Sequence, residues 1–481
     1  MIEFGSTHGR HPALPAAKRL SIRGLASRAL LITLTLTFLA CGQGSGTKSE
    51  GDVAGATPSK GDGTMTQQQG AESGEDDISH RYVKLVLAMG PHDKNFVDAY
   101  YGPEAWREQA LSLNLSPAQI RAEAETLRGE VRELSGKETD AILQSRYLSL
   151  EKQITAMIAR VDLLAGLTFT FDKEAELLYD AHPPRHDEAH FKALVAQLED
   201  LIPGEGDLPE RMEAYRKQFE IPADKLDEVF QAAIRDARER TRKYIDLPES
   251  ESFVVEYVND KSWSGYNWYK GKYHSLIQVN TDFPITIDRA VDLACHEGYP
   301  GHHVFNVLLE KHMVDDKGWK EFTVYPLFSP QSLIAEGSAN YGIQVAFPGA
   351  ERVAYEREVL FPLAGLDPKE AERYYAIQDV LSQLKYAGNE AARAYLEGSM
   401  DADKAADWLV RYELKSPGRA KQRISFFDDY RAYVINYNYG EDLVAAYVEA
   451  KGGTADNPER RWQIFKELLS APLVPSRLEN N

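Results

Sequence analysis

The stretch ACHEGYPGHHV, residues 294–304, places three histidines and one glutamate within eight positions and interrupts them with a proline. On a straight helix, side chains that share one ligand lie three or four residues apart. His302 and His303, however, follow His296 by six and seven residues. Pro300 lacks an amide hydrogen, and its ring collides with the carbonyl group four residues earlier. We therefore expect the helix to break at Pro300 and to return one of the two later histidines to His296.

The returned histidine predicts a metal site. Removing residues 300 and 301 from the motif leaves His-Glu-x-x-His, a spacing in which two histidines on one helix face bind zinc. Either His302 or His303 can be the second ligand, and His302 fits the shortened spacing better. The other histidine is then expected beside the metal, as a supporting or catalytic donor. Glu297 follows the first ligand directly and is the expected general base, because a carboxylate there can take a proton from zinc-activated water.

Hydrolytic zinc centres have three protein ligands, so the motif needs one more. The candidate is Glu336 in the helical pattern LIAEGSANYG, residues 333–342. Asn340, one turn later, is placed to orient a ligand histidine through its ring nitrogen.

The rest of the chain predicts a predominantly α fold with a small β-sheet, an α+β arrangement. Apolar residues recur at helical spacing over residues 138–166, 222–245 and 371–398. Alternating, β-branched segments at 253–258 and 274–284 predict strands directly upstream of the motif. We expect the second strand, around Leu276 to Asn280, to lie at a sheet edge where an extended peptide can dock.

The amino-terminal residues have a different composition. Basic residues precede a short apolar run at 29–40, which ends at Cys41 in the manner of a bacterial lipoprotein signal. We expect residues 1–40 to be a signal peptide, residues 41–79 a flexible tether, and residues 80–475 one helical body, with a two-lobed arrangement left open. Lipid on Cys41 would anchor the protein in the bacterial cell envelope. Gly42 favours the periplasmic face of the outer membrane.

The net charge argues against nucleic-acid binding, and the cysteine content argues against a stabilising disulfide. The formal net charge is −19 and no basic patch stands out, which argues against nucleic-acid binding. Of the two cysteines, only Cys295 remains after lipidation of Cys41, so an intramolecular disulfide is not expected.

HEGYPGHH and AEGSANYG together resemble the bacterial family known as domain of unknown function 885, whose members are often predicted lipoproteins. The resemblance covers most of residues 80–470. That family is grouped with zinc peptidases of the gluzincin type, and the resemblance implies a large helical body with a deep cleft. It also implies one zinc ion per chain, bound by His296, one of the two later histidines, and Glu336. Two departures are Ser338, where an aromatic residue is usual, and Arg419, where the family has glutamine.

A carboxy-terminal segment supplies further candidates. Arg431, Tyr433 and Tyr437 are polar groups in an apolar helical stretch, and zinc peptidases need such a donor to stabilise the oxyanion. Arg431 could instead bind a substrate carboxylate. Arg431 and Tyr437 are thus expected beside Glu297 and His303 as catalytic residues.

The expected function is that of a zinc-dependent metallopeptidase of the envelope acting on peptides, with metal-activated water attacking the peptide bond. The alternative is a catalytically silent, metal-stabilised lipoprotein that binds or scaffolds partners. A hydrolase of non-peptide substrates is the third possibility.

Overall fold

The computed structural model describes residues 74–261 and 263–479. The predicted signal peptide and Cys41 lie outside these residues, as does the predicted tether up to residue 73. In chain order the helices are α1 (Gly74–Met89), α2 (Glu104–Ser112), α3 (Pro117–Lys137), α4 (Ala141–Leu164), α5 (Phe171–Tyr179), α6 (Glu188–Leu201), α7 (Leu208–Arg216), α8 (Leu226–Arg242), α9 (Asp288–Leu293), α10 (His302–Leu309), α11 (Pro330–Ala346), α12 (Gly349–Tyr355), α13 (Phe361–Ala364), α14 (Ala371–Leu384), α15 (Tyr386–Leu396), α16 (Ala402–Tyr412), α17 (Pro417–Tyr430), α18 (Ile435–Ala450), α19 (Pro458–Leu469) and α20 (Pro475–Glu479).

Shorter helical segments interrupt this series. Those of 3₁₀ type are Lys217–Phe219, Lys320–Thr323, Pro368–Glu370 and Arg431–Val434, and those of π type are Ala294–Gly298, Glu310–Asp315 and Glu356–Leu360. The strands are β1 (Val97–Tyr100), β2 (Ser252–Val258), β3 (Gly265–Gly271), β4 (His274–Asn280) and β5 (Val324–Pro326). The described chain is therefore mostly helical with little β structure, as the sequence pattern predicts. The gluzincin-type body and the deep cleft stay predictions.

Local sequence signals account for several helix boundaries. Ser116 caps α3 through a reciprocal capping box with Gln119, and Pro117 occupies the first turn of the helix. The predicted helix at 371–398 is instead two helices that meet at Lys385. The first helix begins at Gly74, inside the range predicted as tether.

Two small sheets contribute the strands. In one, β1 pairs antiparallel with β5. In the other the order is β2-β4-β3, with β4 parallel to β2 and antiparallel to β3. The prediction that the strand from Leu276 to Asn280 lies at an edge is therefore wrong: β4 is the central strand. The edge beside the histidine motif is β3, which the sequence pattern did not identify as a strand.

Helices α11 and α18 approach each other unusually closely. A Cβ atom added to Gly337 would lie 2.3 Å from the carbonyl oxygen of Gly440, so neither position has room for a side chain. This backbone contact joins the helix that carries Glu336 to the helix that carries Tyr437. Between residues 74 and 479, leaving out 262, no helix combines the length and apolarity needed to cross a bilayer.

Candidate metal centre

The histidine motif folds as a broken helix. After α9 the chain widens into the π segment Ala294–Gly298, and Tyr299 is extended. The amide of Gly301 donates to the carbonyl of Cys295 at 2.9 Å, which folds the chain back before α10 begins at His302. A Cβ atom at position 301 would lie 2.0 Å from the carbonyl oxygen of His296, so only glycine fits this turn. The predicted break is therefore observed, with the helix restarting after Gly301.

Three side chains converge at this turn. The Nε2 atoms of His296 and His302 are 3.1 Å apart. Oε2 of Glu336 lies 3.1 Å from Nε2 of His296 and 3.4 Å from Nε2 of His302. Both imidazoles keep a small exposed fraction, 13% and 14% of the side chain, whereas the carboxylate is 9% exposed. The three ligand atoms thus form a compact group that remains accessible from one side.

Neighbouring groups orient these ligand atoms. Nδ1 of His296 lies 2.8 Å from Oδ1 of Asn340, which leaves its Nε2 directed at the other ligands. The amide nitrogen of Asn340 donates to the backbone carbonyl of Tyr437 at 2.6 Å. The Tyr433 hydroxyl donates to Oε1 of Glu336 at 2.7 Å, which leaves Oε2 free. Partners of this kind fix ring orientation and carboxylate geometry in zinc sites.

The arrangement fits a zinc ion. In a tetrahedral shell with bonds of about 2.0–2.1 Å, ligand atoms lie roughly 3.3 Å apart, close to the separations observed. Oε2 of Glu336 is buried and receives no hydrogen bond from the described residues, although it faces two imidazole nitrogens. Burial opposes ionisation, but His302 and His296 lower the pKa of Glu336 well below its usual range, so the carboxylate is charged. Two imidazoles, which would lose their protons on metal binding, and one carboxylate form a donor set that zinc accepts.

Glu297 lies next to this group and is 4% exposed. Burial raises its pKa, and the imidazoles of His296 and His302 oppose that shift. The side-chain amide of Asn267 on β3 donates to the Glu297 backbone carbonyl at 2.7 Å. A Cβ atom at Gly265, the first residue of β3, would lie 2.8 Å from Oε1 of Glu297. The edge strand β3 therefore runs directly beside the carboxylate.

Asp98 is a site residue that sequence reasoning missed. It lies on β1, accepts a hydrogen bond from the Tyr266 hydroxyl, and sits within electrostatic reach of His302, Glu336 and Glu297. Burial raises the pKa of Asp98 to about 7; His302 lowers it, and the two glutamates raise it further. Nothing in VDAY marks this aspartate, because about 200 residues separate it from the motif.

His303 is not part of this group. Its imidazole is fully buried on the other side of the turn, with Nε2 3.0 Å from Oε2 of Glu251 and Nδ1 2.9 Å from the Ser275 hydroxyl. The Tyr299 hydroxyl donates to the same Glu251 oxygen at 2.6 Å, and Arg238 donates to the other oxygen at 2.7 Å. The geometry therefore places His302 with His296 and Glu336, and His303 does not reach them because adjacent residues of a helix point in different directions.

Of the carboxy-terminal candidates, the two tyrosines lie at the triad and Arg431 does not. Arg431 forms an ion pair with Glu174 at 2.8 Å, so its guanidinium is already occupied and is not placed beside the triad. The Tyr437 ring stacks on His296 with 6.5 Å between ring centroids. Burial and the charge of Glu336 raise the pKa of Tyr437 well above its usual value, so its hydroxyl stays protonated. Tyr437 and Tyr433 are thus the phenols that line the site.

Comparisons with known proteins find distant structural likeness alone. No protein-family model matches the chain, and no curated protein matches it significantly. The crystal structure of a "putative lipoprotein" from Colwellia psychrerythraea shares 15% identity, covering 77% of this chain and 70% of that one, with a TM-score of 0.47. A "putative lipoprotein of unknown function" from Shewanella oneidensis shares 13% identity, covering 84% and 81%, with a TM-score of 0.43. Likeness at this level carries no argument about function or location.

Proposed function

We propose that this protein is a zinc-dependent hydrolase of the metallopeptidase type that cleaves peptide bonds. The observation that supports the proposal is the convergence of His296, His302 and Glu336 immediately beside the buried carboxylate of Glu297. Zinc bound by the first three would supply Lewis acidity, which polarises a carbonyl group and makes water a nucleophile at neutral pH.

The chain's own residues then have separate tasks. Glu297 accepts a proton from the water that attacks the peptide carbonyl and delivers it to the departing amine, so that hydrolysis adds one water molecule across the bond. The protonated hydroxyl of Tyr437 donates to the oxygen on which negative charge develops. Asn340 and Tyr433 hold His296 and Glu336 in place through the contacts described above.

The edge strand β3 is the place where we propose that an extended peptide docks. Of the strands in the three-stranded sheet, β2 and β3 lie at its edges, and β3 is the one that passes Glu297. An edge strand offers unpaired N–H and C=O groups to an extended partner. This docking replaces the predicted use of β4, whose backbone groups are already paired on both sides.

The test compares Glu297→Gln with the parent protein, both purified without chelator. We expect about one zinc per chain in each, because Glu297 is not among the three ligands. Cleavage of a diverse peptide library should fall by roughly 10²–10⁴-fold in the variant, since an amide cannot accept the proton. Zinc-replete parent protein that cleaves no peptide would contradict the peptidase proposal. It would instead favour the metal-stabilised scaffold.

We also propose that the protein is lipid-anchored in the bacterial envelope, on the basis of the sequence around Cys41. Cys41→Ser should release it from the membrane fraction with an unchanged melting temperature. A variant that still sediments with membranes would contradict the anchor.

A further inference from the structure

Two arginines on α17, Arg419 and Arg423, form no ion pair with any described carboxylate. Arg423 on α17 lies over the Phe426 ring with 4.4 Å from the guanidinium carbon to the centroid. Its Nε is buried and donates to no described group, and within residues 74–479 the structure shows no ion pair for it. Arg419, one turn earlier, lies over the Phe283 ring at 4.7 Å, and its guanidinium donates to the Pro284 carbonyl at 3.5 Å.

Carboxylates near these two side chains attract them electrostatically, but no described carboxylate forms an ion pair with either. The nearby carboxylate of Glu413 is paired with Lys415 at 3.2 Å. Burial lowers the pKa of Arg423, and burial together with the cations Arg289 and Arg216 lowers the pKa of Arg419. The chain carries 74 acidic residues against 55 lysines and arginines, so acidic partners are abundant elsewhere. A partly buried guanidinium group that has no paired carboxylate opposes folding, which points to an anion that arrives from outside.

A continuous series of ring contacts connects Arg423 to the metal centre. The Phe426 ring on which the guanidinium lies is 6.4 Å from the Tyr437 ring, and the Tyr437 ring is 6.5 Å from the His296 ring. Tyr437 is also the phenol proposed to donate to the substrate carbonyl. A peptide bound at the triad could therefore reach the arginines with a group that lies a few residues from the cleaved bond.

We propose that Arg423, together with Arg419, forms a subsite that binds a carboxylate of the peptide substrate. This inference rests on the proposed function and narrows its substrate class. A guanidinium offers two parallel N–H groups that match the two oxygens of a carboxylate. That carboxylate is either the free carboxy terminus of the peptide or the side chain of an aspartate or glutamate near the cleaved bond.

Three pools of N-acetylated pentapeptides with random internal positions separate these sources. The first pool has free carboxy termini and lacks Asp and Glu; the second is amidated and lacks them; the third is amidated and contains them. The zinc-loaded parent should cleave the first or the third pool at least about tenfold faster than the second, as expected for a charge-assisted hydrogen bond. Preference for the first pool assigns the carboxy terminus, and preference for the third assigns an acidic side chain.

Arg423→Gln should remove the preference while keeping zinc content and slow cleavage of the second pool. Arg419→Gln, a second variant at a more exposed position, should reduce the preference. The matched control is Lys421→Gln, a charge removed from an exposed position on the same helix, which should leave the preference unchanged. Equal cleavage of all three pools by the parent, or an unchanged preference in Arg423→Gln, would overturn the subsite and leave the peptidase proposal standing.

Binding gives a readout that does not depend on turnover. In the zinc-loaded Glu297→Gln background, calorimetry should show that the second pool, amidated and free of acidic residues, binds at least about tenfold more weakly than the first or the third pool. Adding Arg423→Gln should abolish that difference. If the parent cleaves nothing but this binding difference is seen, the subsite stands and the peptidase proposal falls. If neither pool binds, the subsite is wrong.

Discussion

His303 Nε2 lies 3.0 Å from Glu251 Oε2, and both side chains are completely buried behind the turn that carries the ligand His302. Burial lowers the pKa of His303, so the imidazole is neutral, donates to Glu251 and accepts from Ser275. Glu251 also accepts from the Tyr299 hydroxyl, and thereby holds residues on both sides of Pro300. The shape of the turn therefore depends on one carboxylate outside the motif.

Because of the Glu251 carboxylate, we expect the folded protein to lose stability in acid. Burial opposes ionisation, but hydrogen bonds from His303, Tyr299 and Arg238 lower the pKa of Glu251 from 4.5 to about 2. A carboxylate whose pKa is lowered in the folded state stabilises it above pH 4.5, and this contribution disappears as pH falls from 4.5 towards 2. The interval corresponds to at most about 3 kcal/mol.

Glu251→Gln should accordingly be less stable than the parent at pH 7, and the difference should shrink below pH 4.5. Urea unfolding at several pH values measures this difference in unfolding free energy. The contributions of carboxylates that both proteins share cancel in the difference. Glu249→Gln, at an exposed position two residues away, is the control and should differ little from the parent at any pH. A difference for Glu251→Gln that is independent of pH would contradict the assignment.

Alanine at each of the two adjacent histidines should have opposite effects on zinc and on stability. His302→Ala removes a ligand atom and should lose most of the bound zinc with a modest change in stability. His303→Ala should retain zinc, because this imidazole contacts none of the three proposed ligand side chains. It should also lose about 2–4 kcal/mol of stability, because it leaves buried Glu251 with one partner fewer. Zinc titration and urea unfolding of both variants measure the two effects, and the reverse pattern would make His303 the ligand.

The Tyr433 hydroxyl should contribute to metal affinity through Glu336. Tyr433→Phe removes the 2.7 Å hydrogen bond to Oε1 without changing the ligand set, so zinc affinity should fall about 10–100-fold. Tyr355→Phe is the matched control, since the buried Tyr355 hydroxyl has no hydrogen-bond partner in the part of the chain that the structure describes. Competition with a chromogenic chelator measures both affinities. Equal affinities in the two variants would mean that the phenol does not orient the carboxylate.

The close approach of α11 and α18 should not tolerate a methyl group. In Gly337→Ala the new Cβ atom would lie 2.3 Å from the Gly440 carbonyl oxygen, so the helices must separate. We expect a loss of about 1–3 kcal/mol together with weaker zinc binding, because Glu336 precedes the contact. Gly129→Ala places a methyl group on α3 where nothing lies within 4 Å, and it should stabilise the protein by up to about 1 kcal/mol. Thermal unfolding of both variants decides the point.

The part of the site that follows from local covalent geometry could be predicted from the sequence. Pro300 and Gly301 determine that the helix breaks, and the shortened spacing favours His302. The strand β3 was missed because SWSGYNWYKGKY has glycines and no regular alternation. Asp98 and Glu251 could not be found either, since only tertiary packing brings them to the motif. Arg431 is a residue of the expected type, but it forms an ion pair with Glu174, which lies 257 residues earlier in the sequence.

Tyr433 and Tyr437, whose groups hold the side chains of the candidate site in place, are synthesised after all three proposed ligand residues. All three ligand residues are synthesised by residue 336, almost 100 residues before the hydroxyl that fixes Glu336 and the carbonyl that fixes Asn340. A chain truncated ahead of residue 433 thus keeps every ligand but loses the groups that orient them. If the site binds zinc as proposed, tight binding becomes possible only late in the biosynthesis of this protein, and cleavage ahead of residue 433 would weaken it.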